Sequence, residues 1–175
     1  MKRNTLHRMT CAAVLAALTF AATTAVHIPM PATGGFLNLG DCMVLLSAFL
    51  MGPVWGAAAG GIGSMMADVM LGYSAYAPAT LLIKGLMAVA AALLFRGLRK
   101  RTGDLTASLV GGIAAEVIMV GGYFAYEAWL LGYGLAAAAS VPGNAAQGVA
   151  GLVVGVLLCQ TLYHIPVVKR TVQMF

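Results

Sequence analysis

Charge is scarce in this chain: only 9% of its 175 residues are Asp, Glu, Lys or Arg, against about 25% in a soluble domain. With 61% hydrophobic residues and a mean hydropathy of +0.93, it falls outside the water-soluble class and reads as an integral membrane protein. Cysteine is sparse too. Cys11, Cys42 and Cys159 lie far apart in apolar runs, which leaves no disulfide framework and no metal spacing. They are expected to be small buried hydrophobes. Motifs for self-contained chemistry are also missing. There is no G-x-x-x-x-G-K-[ST] loop to hold ATP, and no H-E-x-x-H, CxxC or G-x-S-x-G. Gly60, Gly61 and Gly63 follow no strand, which argues against a dinucleotide fingerprint. Ser64, Ser74 and Ser140 with His27 or His164 show no spacing that would support an intramembrane hydrolase. No internal repeat of the kind used by rocking secondary transporters is visible. The expectation is a protein without catalysis, cofactor or metal.

The net charge of +5 does not point to nucleic acid, because of where the charges lie. Lys2, Arg3 and Arg8 precede the first apolar run. Arg96, Arg99, Lys100 and Arg101 cluster in one connector, and Lys169 and Arg170 follow the last run. Only Lys84 lies inside a span. These are the flanking charges of a polytopic membrane protein. The basic start followed by CAAVLAALTFAATTA resembles a secretory signal. Since the rest of the chain is equally apolar, a retained first helix is expected.

Apolar runs near the length that crosses a bilayer predict six transmembrane helices. They cover residues 8–26, 38–52, 54–71, 78–96, 105–131 and 142–163 of a single domain spanning 1–175: an all-α, multi-pass bundle in a cell membrane. The second span is short, and a re-entrant hairpin is its alternative. Asn38-Leu39-Gly40-Asp41 starts it and Gly52-Pro53 ends it. Six crossings from a cytoplasmic N-terminus leave both termini in the cytoplasm. They place nine of the ten basic residues there, and the connectors 27–37, 72–77 and 132–141, which lack Lys and Arg, outside. Small residues at four-residue spacing mark two helix faces. Gly56, Gly60 and Ser64 suit packing inside the bundle. Ala12 with Ala16, and Ala13 with Ala17, suit either packing or a partner.

Charges inside apolar spans are costly and usually face a protein interior or a cavity. Under the expected orientation, Asn38, Asp41, Asp68, Tyr76, Thr80, Tyr123, Glu127, Asn144 and Gln147 all fall in or beside the outer half of the bundle. Lys84 lies six residues into its span, about 9 Å deep at the helical rise. Glu116, near the middle of the fifth span, is the exception. A shared outward pocket explains this layering. Asn144 and Gln147, three apart on one helix, could grip a heterocycle edge. Tyr73, Tyr76 and Tyr123 could stack on its face. Local roles are the alternatives. Asp41 and Asn144 could cap helices, Asp68 could be the ion-pair partner that Lys84 needs, and the tyrosines could be interface anchors.

Three stretches carry a resemblance: FLNLGD at 36–41, SMMAD at 64–68 running into GYSAYAPATLLIKG at 72–85, and VPGNAAQ at 141–147. Together they resemble the substrate-binding S components of energy-coupling factor (ECF) vitamin transporters, and more narrowly the riboflavin-type group. The resemblance implies capture of a vitamin-like molecule at the outer face of a prokaryotic cell membrane. It also implies association with a transmembrane coupling protein and two ABC-type ATPases, and docking on that coupling protein through an A-x-x-x-A face of the first helix, matched here by Ala12, Ala13, Ala16 and Ala17. Asn38, Tyr76, Lys84, Tyr123, Glu127, Asn144 and Gln147 lie where such pockets draw their ligands; Asp41 and Asp68 join them as the remaining acidic groups of that layer. Riboflavin, pyridoxine and hydroxymethylpyrimidine are the substrates associated with this signature, and the acidic and amide side chains favour the latter two. A stand-alone, ion-coupled transporter is the rival reading.

Overall fold

A short, almost wholly buried helix lies at the centre, and longer helices wrap it. The structure is a computed structural model that describes residues 2–166 and 168. Lys169 and Arg170 lie outside the described residues, as do the side chains of Lys2 and Arg3. Helix α1 runs Lys2–Ala25. Its buried Thr19 and Thr23 hydroxyls donate to the carbonyls of Leu15 and Thr19, each at 2.8 Å. This satisfies them without water. Two three-residue strands follow, β1 (Ile28–Met30) and β2 (Gly35–Leu37). They pair antiparallel with Pro29 opposite Phe36. The connector 27–37 is thus a β-hairpin, and its tight turn is closed by Gly34 at φ 70°, a conformation glycine adopts freely.

Helix α2, Gly40–Met51, buries ten of its 12 residues. At about 1.5 Å per residue it spans about 18 Å, short of the hydrocarbon thickness of about 30 Å. Gly52, at φ 81°, reverses the chain, and Pro53 opens helix α3, Pro53–Leu71, at a position where its missing N–H is not needed. A methyl added at Gly56 would lie 2.7 Å from the Ala48 Cα. Gly56 and Gly60 therefore serve close packing of α3 on α2 inside the bundle. Ser64 on the same face is buried as well.

Helix α4 covers Ala77–Ala125, but Gly103 sits at φ 82°, ψ 167° and breaks it into two. The two limbs, 77–102 and 104–125, fold back on each other. Gly111 faces Ala91, and Gly122 faces Ile83. The connector expected over 97–104 is thus helical except at one glycine. A π-helical turn, Tyr126–Leu130, and a 3-10 turn, Gly134–Ser140, lead into α5, Val141–Tyr163. By length and composition, Thr5–Ala25, Pro53–Leu71, Ala77–Leu130 and Gly134–Tyr163 can cross a membrane, while α2 is a shorter apolar helix. The core centres on Val44, Leu45, Ala48 and Phe49 of α2 against Met87, Ala91 and Phe95 of the first limb and Ala115 and Met119 of the second. All three cysteines are free.

The candidate binding pocket

The N-termini of α2, α4 and α5 and the C-termini of α3 and of the second α4 limb meet at one end of the bundle. The β1–β2 hairpin roofs that end. Beneath it Met30, Gly35, Phe36 and Asn38 face Asp68, Tyr76, Thr80 and Tyr123 on one side, and Glu127, Asn144 and Gln147 on the other. Seven of the nine residues expected at the site therefore line one cavity. Asp41 and Lys84 do not. They lie directly below it, both buried, paired with each other.

That pair corrects the partner suggested for Lys84, since Asp41 and not Asp68 neutralises it. Asp41 also does not cap α2, whose N-cap residue is Leu39 with no side-chain cap bond. Its second oxygen accepts from Gln147 Nε2 at 2.7 Å. Gln147 Oε1 in turn accepts from the Asn38 amide at 2.8 Å. Asn38 Oδ1 accepts from the Gly40 amide at 2.8 Å, supporting the start of α2. The Lys84 ammonium stands 5.5 Å from the Tyr123 ring centroid, a favourable cation–π distance. This network ties α4, α2, α5 and the exit of the hairpin together. Removing one partner of such a pair typically costs about 3–5 kcal/mol, because the other charge stays buried and uncompensated.

The opposite wall is a second network. The Tyr76 hydroxyl donates to the Thr33 carbonyl at 2.7 Å and is shared with Glu127 Oε1 at 3.1 Å. Ser140 Oγ donates to Glu127 Oε2. Burial, and next the neighbouring Glu127 carboxylate, push the Tyr76 phenol above its ordinary range, so it stays a donor. Thr80 and Tyr123 share a hydrogen bond of 3.0 Å. At the rim, His27 Nε2 and Tyr73 Oη are 3.0 Å apart, and the Phe36 ring packs 4.5 Å from Tyr73. Tyr73 thus belongs to the roof and not to the pocket wall. Asn144 lies inside the first turn of α5, whose N-cap residue is Ser140, so it is not a cap.

Sequence reasoning did not find Met30, Gly35, Phe36 or Ser140. The hairpin that carries the first three has strands too short to show alternation, and Ser140 looks like any loop serine. Glu116, the outlier in depth, sits behind the pocket. Both its oxygens are buried with no hydrogen-bond partner. A methyl at Gly151 would touch both Asp41 and Glu116, so both side chains pack on the α5 backbone there. Of the four alanines expected to dock a partner, Ala12 packs inward with Leu15, Met51 and Ala59 and Ala16 is half-buried. Ala13 and Ala17 are exposed. All four line an apolar groove of about 520 Å³ between α1 and α3, with Trp55, Ile62 and Met66 on its far side.

Comparisons with known proteins show the family and the fold. A family model described as "ECF-type riboflavin transporter, S component" matches residues 3–164. A Pyrococcus woesei protein of unassigned function is 40% identical over 133 residues, which are 76% of this chain and 86% of that protein. The thiamine precursor transporter HmpT of Lactococcus lactis subsp. cremoris (strain MG1363) is 28% identical over 172 residues, 98% of this chain and 93% of HmpT. A solved structure, described as the S component of a bacterial ECF transporter, superposes with a TM-score of 0.67 at 21% identity. It covers 91% of this chain and 97% of that one, so the fold is shared.

Proposed function

This chain belongs to the ECF-type riboflavin transporter S-component family, and from that membership we propose that it is the solute-capture subunit of an ATP-driven importer. It binds a small vitamin-like heterocycle in the pocket under the hairpin and has no chemistry of its own. In this reading the two limbs of α4 cross the membrane separately. With α1, α2, α3 and α5 they make six crossings of a single domain in the cell membrane of a prokaryote, with both termini in the cytoplasm. Asn38, Asp68, Tyr76, Tyr123, Glu127, Asn144 and Gln147 form the site, and the Asp41–Lys84 pair forms its floor.

The observation that carries the proposal is the opposite polarity of the two ends. Hydrogen-bonding side chains and aromatic rings gather at the pocket end. Arg96 reaches the Gly52 turn at the other end. Arg99 pairs there with Asp104 at 3.1 Å, beside Lys100 and Arg101, and Arg8 lies near the start of α1, the end of that helix away from the pocket. Basic residues favour the cytoplasmic side, so the pocket opens outward, where a capture subunit meets its solute. The engine is supplied by partners: a transmembrane coupling protein, met by the Ala13 and Ala17 face of α1, and two ABC-type ATPases. The name of the Lactococcus relative makes a thiamine precursor a first candidate solute.

Native mass spectrometry of the detergent-purified protein, together with uptake assays in cells with and without a coupling protein and ATPases, tests this reading. A co-purified heterocycle and uptake that needs the ATPases are expected. Uptake by the chain alone would establish a stand-alone transporter instead.

A further inference from the structure

Most polar atoms facing the pocket are already committed inside the protein. Gln147 bonds Asp41 and Asn38, Glu127 bonds Tyr76 and Ser140, and Thr80 bonds Tyr123. Two are not. Asp68 Oδ2 and Asn144 Nδ2 are buried without a hydrogen-bond partner. Each residue is only 3% exposed, and both line the same cavity. A buried polar atom left unpaired is costly, and these two differ in kind: the carboxyl oxygen accepts and the amide nitrogen donates. They are the free valences of the site.

Charge restricts the ligand further. The lining contains two carboxyls, Asp68 and Glu127, and no Lys, Arg or His. The nearest ammonium, Lys84, lies beneath and is held by Asp41. Three helix N-termini point to this end, and such termini attract anions. Here each of them has one amide fewer to offer: Asn38 Oδ1 takes the Gly40 amide, and proline stands in the first turn of α4 and of α5. A phosphate buried here would face two carboxyls, without the guanidinium or ammonium that phosphate sites use.

Resting on the capture reading above, we propose that the pocket selects an unphosphorylated heterocycle, neutral or cationic, that offers an N–H or O–H donor to Asp68 and a lone pair to Asn144. The same arrangement rejects the phosphate ester of that compound. The discrimination is built by repulsion as much as by fit.

Equilibrium binding to the purified full-length protein in lipid nanodiscs tests this with three matched pairs: hydroxymethylpyrimidine, pyridoxine and riboflavin, each beside its monophosphate. At least one parent compound is expected to bind, with its ester weaker by about a hundredfold, as a like-charge contact of several kcal/mol requires. Asp68→Asn is expected to narrow that ratio by about tenfold, and Asn144→Ala to weaken the parent compound by about tenfold. An ester that binds as well as its parent overturns this inference and leaves solute capture standing. A ratio unchanged in Asp68→Asn removes Asp68 as the discriminating group. If Asp68→Asn does not fold, the wild-type ratio still decides. If no parent or ester binds and no small molecule co-purifies, the capture reading itself fails and this one with it.

Discussion

Asp41 of α2 neutralises Lys84 of α4, while Asp68, one helix away, keeps an oxygen free for the pocket. The two carboxylates therefore have different work, and their substitutions should separate. Asp41→Asn leaves the Lys84 ammonium buried without its counter-charge and is expected to destabilise the protein by about 3–5 kcal/mol. Asp68→Asn breaks no ion pair and should change stability by less than about 1 kcal/mol. Thermal unfolding in a single detergent compares them; equal losses would mean that Lys84 is shared between both carboxylates.

Glu116 presents the reverse case. It lies beside Gly148 and Gly151, where methyl groups would come within 3.1 Å and 3.3 Å of its oxygens. It faces an apolar groove lined by Val117, Val120, Val149 and Leu152. Neither oxygen has a partner. Replacing an unsatisfied buried polar group by an apolar one of similar size removes a penalty of about 1–3 kcal/mol. Glu116→Met should therefore raise the unfolding midpoint. A lowered midpoint would show that the carboxyl does have a partner in the membrane.

The layering of polar groups toward one end was legible because hydropathy sets where helices begin and end, and that alone orders residues by depth. Who pairs with whom was not legible. Asp41 and Asp68 stand at nearly the same depth on adjacent helices, and only the rotation of α2, fixed by Ala48 against Gly56 and Val44 against Gly60, turns Asp41 toward Lys84. The hairpin escaped notice for a different reason. IPM and GFL are too short to alternate, and Pro29 weighs against a strand except at an edge. The A-x-x-x-A pattern of α1 was visible, but only packing shows that Ala12 is buried against Met51 and Ala59 while Ala13 and Ala17 are the more exposed members of the groove that all four line.

That division refines the docking test. Ala17→Leu adds three carbons on the open side of the α1–α3 groove and displaces nothing in the core. Solute affinity should stay within about twofold, while transport falls by tenfold or more, equivalent to about 1.4 kcal/mol of lost helix–helix contact. Uptake in cells and co-purification of the coupling protein measure this. Normal transport by Ala17→Leu would put the docking face elsewhere.

The roof makes the last prediction. The cavity beneath it is about 20 Å³, room for about one water molecule, so no heterocycle fits until the hairpin moves outward. The Tyr76 hydroxyl fastens the hairpin through its bond to the Thr33 carbonyl and joins it to Glu127 on the far wall. Tyr76→Phe keeps the ring but cuts both bonds, leaving the turn at Thr33 held by the Gly34 and Thr33 amides on the Met30 carbonyl. These amides hold the turn together and do not hold it down. The hairpin should open more often, so both association and dissociation of the solute should speed up. Each rate should rise by up to about fivefold, the weight of one hydrogen bond of about 1 kcal/mol, and the affinity should change little, because the free closed state holds the same bond. Stopped-flow fluorescence of Trp129 and the pocket tyrosines reads both rates. Unchanged rates in Tyr76→Phe would mean that the Phe36, Tyr73 and His27 cluster at the rim, and not the phenol beneath it, holds the roof shut.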